Sequence, residues 1–180
     1  MRCLALAGAL RGRGADCAFF CRSQPGDLLA FIEQKGFRAH ALHLQADAGG
    51  AADAEATLAA LGATVWDRLV VDHYGLDAVW EQRLRSACGR LMALDDVPDR
   101  AHGCDLLLDQ NFGRVRAEYA GLVPERCELL LGAGYALLRP EFAAARERSL
   151  ARRNAERLER VLITMNNVLP APGSSMLPSP

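Results

Sequence analysis

Lysine is nearly missing from this chain, with Lys35 alone among 21 basic residues, so any basic chemistry falls to arginine. The arginine preference, beside abundant alanine, reads as coding bias toward GC-rich codons rather than as an arginine-based recognition surface. Acidic and basic residues balance to a net charge of -1, which removes the electrostatic pull toward nucleic acid or an anionic membrane. No apolar run reaches the roughly 18 residues needed to span a bilayer. There is no C-x-x-C pair. The six cysteines, Cys3, Cys17, Cys21, Cys88, Cys104 and Cys127, are scattered, which spells neither a zinc site nor a thioredoxin-like motif and fits buried thiols in a reducing cytoplasm. No internal repeat of solenoid type is present. What remains is a chain of 180 residues, 51% apolar, of the size of one domain with a real core and a small molecule as its partner.

Met1 to Leu10 has the look of a signal peptide, one arginine before a short apolar run, but it leads straight into Arg11-Gly12-Arg13-Gly14 and reads better as a helix. Helical and extended patterns then alternate. Arg2–Arg11 is helical, Asp16–Cys21 extended, and Asp27–Lys35 helical after the turn Gln24-Pro25-Gly26. Arg38–Leu44 follows as a strand, Ala51–Leu61 as a helix ending at Gly62, and Arg68–Asp72 as a strand closed by Gly75. Leu76–Ala87 is helical with Asp77 as its cap. Arg90–Leu94 runs into Asp95-Asp96, Leu106–Leu108 runs into Asp109, and Cys127–Leu131 is extended ahead of the break Gly132-Ala133-Gly134. Pro140 to about Leu158 reads as a helix, Val161–Met165 as a last strand. The alternation predicts an α/β, Rossmann-like domain over 1–165 with a mostly parallel sheet, and a disordered Pro/Ser-rich tail over 166–180. In such sheets ligands lie beyond the carboxyl ends of the strands. The stretch Val70-Val71-Asp72-His73-Tyr74-Gly75, an apolar run ending in acid, imidazole and phenol, places chemistry there.

Gly12 and Gly14 make no phosphate cradle, because they follow a helix whereas a phosphate-binding turn precedes one. His102, Cys104 and Asp105 lie at short spacing, but one cluster without a second pair of ligands is a weak metal signal, and no metal or cofactor is expected. Asp95 and Asp96 fit two roles, a carboxylate pair positioning substrate or water, or a loop brace through backbone amides. Alternation sends Asp72 and Tyr74 to one side and His73 to the other, where it serves as a hydrogen-bonder beneath the loop. Asn111 and Tyr135 follow strands at the same sheet end. Arg139 is open to a substrate contact or to an ion pair with Glu141 or Asp109.

The motifs Met1-Arg2-Cys3-Leu4-Ala5-Leu6-Ala7, Val71-Asp72-His73-Tyr74-Gly75, Leu94-Asp95-Asp96 with His102 to Asn111, Gly121-Leu122-Val123-Pro124 and Gly134 to Phe142 stand in a familiar order. In these the chain resembles the N-terminal half of the UDP-2,4-diacetamido-2,4,6-trideoxy-beta-L-altropyranose hydrolase family of pseudaminic acid biosynthesis. The resemblance implies a glycosyltransferase-B-like architecture, two Rossmann-type halves closing on a nucleotide sugar, in which water attacks the anomeric carbon and UDP leaves. It implies Tyr74 as the catalytic tyrosine at the sugar; Asp72, Asp95, Asp96, Asn111 and Tyr135, placed at the same sheet end, are the candidate substrate contacts. It also implies a first strand and a Gly-His loop ahead of Met1, the histidine being the base for water, and a UDP-binding half after a strand like Leu162 to Met165. On this reading the chain is truncated at both ends and poorly active alone. With a central strand absent, the strands near Phe19 and Val70 are expected to pair directly or the packing to loosen. Two alternatives stay open: a one-domain nucleotide-sugar or protein-binding module, and half of a glycosyltransferase.

Overall fold

The computed structural model describes residues 1–45 and 47–153. The segment Val161–Met165 and the tail 166–180 therefore lie outside the described residues. The chain divides into two units, residues 1–143 and 144–180, and the sheets and the site described below lie in the first.

Helix and strand alternate from α1 to β4, after which β5 and β6 follow without an α-helix between them. The order is α1 (Arg2–Arg11), β1 (Ala18–Arg22), α2 (Leu29–Gln34), β2 (Arg38–Leu42), α3 (Gly50–Leu61), β3 (Trp66–Val71), α4 (Ala78–Leu84), β4 (Cys88–Leu94), β5 (Leu106–Asp109), β6 (Glu128–Leu131) and α5 (Pro140–Arg152). Short 3-10 turns occupy Arg85–Ala87, Arg116–Tyr119 and Ala133–Tyr135. α3 stops at Gly62, whose φ of 65° suits a residue without a Cβ. α4 starts where Asp77 accepts the amide N–H of Val79 at 2.9 Å and of Trp80 at 3.4 Å, as its position before an apolar periodic run predicts.

Every strand pair is parallel, but the strands form two sheets: β1-β2 and β3-β4-β5-β6. The larger sheet holds the main core, Leu91, Ala93 and Leu107 packed with Val71, Trp80, Leu84 and Tyr119. β5 is nearly closed to solvent, as a strand covered on both faces should be. The smaller sheet has its own cluster, Ala7 of α1 with Ile32 and Phe37, joined by Leu4 and Phe19.

Direct pairing of the strands near Phe19 and Val70 does not occur. Among the described residues β1 pairs with β2 and β3 with β4, and the two sheets meet through side chains instead. Phe20 of β1 packs edge-on against Trp66 of β3, ring centroids 6.3 Å apart, and stacks on His40 of β2 at 4.7 Å. Arg22, at the end of β1, bonds Asp53 of α3 at 2.7 Å, while Asp53 also accepts the Trp80 indole N–H at 2.8 Å. Phe20 with Trp66, and Arg22 with Asp53 and Trp80, thus link the two sheets through side chains.

Candidate functional site

Three strands of the larger sheet deliver carboxylates at their carboxyl ends: Asp72 after β3, Asp95 and Asp96 after β4, Asp109 at the end of β5. Their surroundings separate them.

Asp72 is clasped by the first residues of α1. Arg2 Nε donates to Asp72 Oδ2 at 3.1 Å and Nη2 to Oδ1 at 2.7 Å, a two-pronged pair, and the Cys3 thiol donates to Oδ2 at 3.1 Å. Burial works against the carboxylate, but the bonds from Arg2 and Cys3 outweigh it and hold Asp72 below its ordinary pKa. Burial and the Asp72 charge push the Cys3 thiol up to about 12, so it stays protonated at neutral pH. Arg2 reaches on to Asp96 Oδ2 at 3.4 Å.

Asp95 is fully buried and its oxygens are taken. Oδ1 accepts the amides of Asp96 at 2.8 Å and Val97 at 3.2 Å and a guanidinium N–H of Arg100 at 3.1 Å. Oδ2 meets His102 Nε2 at 3.0 Å, whose other nitrogen, Nδ1, meets Glu81 Oε1 at 2.7 Å. A histidine between two carboxylates donates to both only as the imidazolium. Desolvation opposes that charge, yet Asp95 and Glu81 raise the His102 pKa to about 9. The same bonds hold Asp95 below its ordinary value against its own burial. Of the two roles open to Asp95, the structure shows the loop brace.

Asp96 differs. Its Oδ1 is buried with no hydrogen-bond partner. Interaction of the Tyr74 hydroxyl with the Asp96 carboxylate raises the Tyr74 pKa. Tyr74 is 61% exposed. Asn111 Nδ2 donates to the Asp96 carbonyl at 3.2 Å, and Arg114 Nη2 to the same oxygen at 2.8 Å. Asp109 is consumed by the Arg114 guanidinium, the Tyr119 hydroxyl at 2.9 Å and the Asn111 amide at 2.9 Å.

Asp72 and Asp96 therefore meet at Arg2, with Asn111 on the Asp96 carbonyl and the Tyr74 phenol interacting with the Asp96 carboxylate, whereas Asp95 is the buttress of its loop. Tyr135 is half exposed in the turn after β6. Arg139 does not pair with Glu141 or Asp109; it lies over the Phe142 ring at 5.3 Å, and Asp109 takes Arg114 instead. Next to Arg2 a cleft of about 370 Å³ is lined by Met1, Leu137, Leu138, Arg139 and Phe142. His73 Nδ1 accepts the Gly75 amide at 2.9 Å, the loop-bracing role its position suggests. His102, Cys104 and Asp105 disperse to Glu81 with Asp95, to Cys127, and to Arg85.

Residue-by-residue reading missed Arg2, Glu81 and Arg114 as parts of the site. Glu81 did leave a trace: it lies between Trp80 and Leu84 on the buried side of a short helix, where a carboxylate demands a buried partner. Arg2 left none, its partner being 70 residues away.

These features define a Rossmann-like α/β domain with a polar cluster at the carboxyl edge of its larger parallel sheet. Within that class the chain is similar to the UDP-2,4-diacetamido-2,4,6-trideoxy-beta-L-altropyranose hydrolase of Campylobacter jejuni subsp. jejuni serotype O:2 (strain ATCC 700819 / NCTC 11168), 37% identical over 78 residues. The match covers 43% of this chain and spans 28% of the relative's length. No family model matches. Among the described residues no helix is long and apolar enough to cross a membrane.

Proposed function

We propose that the carboxyl edge of the larger sheet binds the sugar portion of a UDP-linked diacetamido-trideoxy sugar, as one wall of a hydrolase that frees the sugar from UDP. The observation that carries this reading is the buried, unpartnered Oδ1 of Asp96, on a carboxylate that also interacts with the exposed Tyr74 phenol. A buried carboxylate oxygen without a donor is costly, and a hydroxyl or amide N–H of a ligand satisfies it. Tyr74 stands in the motif that carries the resemblance, and its phenol both donates and accepts. In the reaction, water attacks the anomeric carbon, the bond to the diphosphate oxygen breaks, and UDP leaves with that electron pair. Tyr74 orients the sugar or the water. Asp96 accepts a hydrogen bond from a sugar donor, and Asn111 fixes the Asp96 backbone. His102, with both ring nitrogens engaged, is no base for water. A UDP-binding half would supply the remaining contacts.

The test is calorimetric titration with the diacetamido-trideoxy UDP-sugar. Saturable binding is expected, weakened about tenfold or more in Asp96→Asn and about fivefold in Tyr74→Phe. Absence of saturable binding, or binding indifferent to both substitutions, would overturn the reading.

A further inference from the structure

The loop that presents Tyr74 has little to hold it. Its internal bonds are the Gly75 amide to the His73 ring and a long Leu76 amide to His73 carbonyl contact of 3.4 Å. Arg2 and Cys3 hold Asp72 at its start and Asp96 interacts with the Tyr74 phenol, but the loop backbone itself is bound by Arg100. Its Nε donates to the Leu76 carbonyl at 3.2 Å and its Nη2 to the His73 carbonyl at 3.4 Å, so one guanidinium grips the loop on both sides of Tyr74. The same guanidinium carbon lies 5.9 Å from the centre of the Tyr74 ring, within cation–π range.

Arg100 is itself anchored from behind. Nη2 also bonds Asp95 Oδ1 at 3.1 Å, and Nη1 bonds Asp99 Oδ1 at 3.1 Å. Asp95 is locked by His102, His102 by Glu81, and Glu81 Oε2 accepts the Gly103 amide. Glu81, His102 and Asp95 are 1%, 5% and 0% exposed. This buried chain joins α4 to the end of β4, a fixed frame on which a mobile arginine side chain becomes rigid.

We infer that Arg100 is a positioning residue that sets the Tyr74 ring, and that the buried Glu81–His102–Asp95 chain fixes Arg100. The inference rests on the proposed role of Tyr74 only for its functional meaning; the coupling itself is a property of the fold.

The chain has three tyrosines, Tyr74, Tyr119 and Tyr135, so uniform 3-fluorotyrosine labelling yields three fluorine resonances, with Tyr74→Phe assigning the one of interest. Buried Tyr119 reports on the core and Tyr135 serves as a remote control. Arg100→Ala is expected to shift and sharpen the Tyr74 signal while the other two stay in place. His102→Gln, which cannot carry the imidazolium charge, is expected to produce the same change from behind Asp95. Arg100→Lys keeps the charge but not the fork, and should restore the Tyr74 signal only in part. A Tyr74 resonance unmoved by Arg100→Ala would overturn the proposal. A shift in Arg100→Ala but none in His102→Gln, with the Tyr119 signal intact, would overturn the role of the buried chain. If His102→Gln loses the Tyr119 signal, Glu81→Gln decides that half in the same way. Since the readout needs no turnover, a Tyr74 response without UDP-sugar binding would refute the proposed function and leave the positioning intact.

Discussion

The two sheets of this domain are both parallel, yet they differ in what lies behind their carboxyl ends. Behind the larger sheet stands a core of large side chains and a buried ion chain running from Glu81 through His102 to Asp95. Behind the smaller one stands a cluster of Ala7, Ile32 and Phe37, and its polar link at the end of β1 is the Arg22–Asp53 pair, whose guanidinium is partly open to solvent. The difference teaches where precision resides. A polar site holds its geometry when its supports are themselves buried and satisfied, and the larger sheet meets that condition. The smaller sheet reaches the site through α1, by way of Arg2.

The comparison can be broken most forcefully in the cores. Leu107→Ala, in the middle of β5, should cost about 2–5 kcal/mol in urea unfolding, and Ile32→Ala should fall at the lower end of that range. Native-state amide exchange should be slowest in β4 and β5 and faster in β1 and β2. Equal protection in both sheets would erase the distinction.

The ion chain offers the next lever. The His102 pKa is raised from 6.5 to about 9, so its contribution is fully present below pH 6.5 and is lost as pH rises through about 9. About 3 kcal/mol of stability should disappear across that window, and His102→Gln should flatten this part of the pH profile.

Smaller effects test the seams. Arg2→Ala removes the two-pronged pair with Asp72, partly open to solvent, and should cost about 1 kcal/mol or less while loosening α1 from β3, visible as faster exchange in α1. Asp77→Ala removes the α4 cap and should cost about 1 kcal/mol in thermal or urea unfolding.

Local pattern made most elements legible. The α1 span agrees with its predicted bounds, α3 and β6 differ from theirs by one residue, and the Asp77 cap follows from its place before an apolar run. β3 starts at Trp66 rather than Arg68, and β4 at Cys88 rather than Arg90, because Trp66 pairs with Cys88 and carries both strands back past Asp67 and Gly89, residues of low strand propensity. The 3-10 turns around Tyr119 and Tyr135 carry no periodicity to read. In the candidate site, the motif ending in Tyr74 and the aspartates at strand ends are local features, and they were readable. The division of labour between Asp95 and Asp96 was not, since it depends on His102 and Arg100 closing on one and not the other. Chain topology also left open whether β1 and β3 would pair; they stand in separate sheets and meet through the side chains of Phe20 and Trp66.

The most direct test of the account is a two-dimensional amide NMR titration with the diacetamido-trideoxy UDP-sugar. The expected shifts concentrate at Tyr74, Gly75, Asp96, Val97 and Asn111, with β1 and β2 undisturbed. Shifts confined to residues 18–42, or none at saturating ligand, would contradict it.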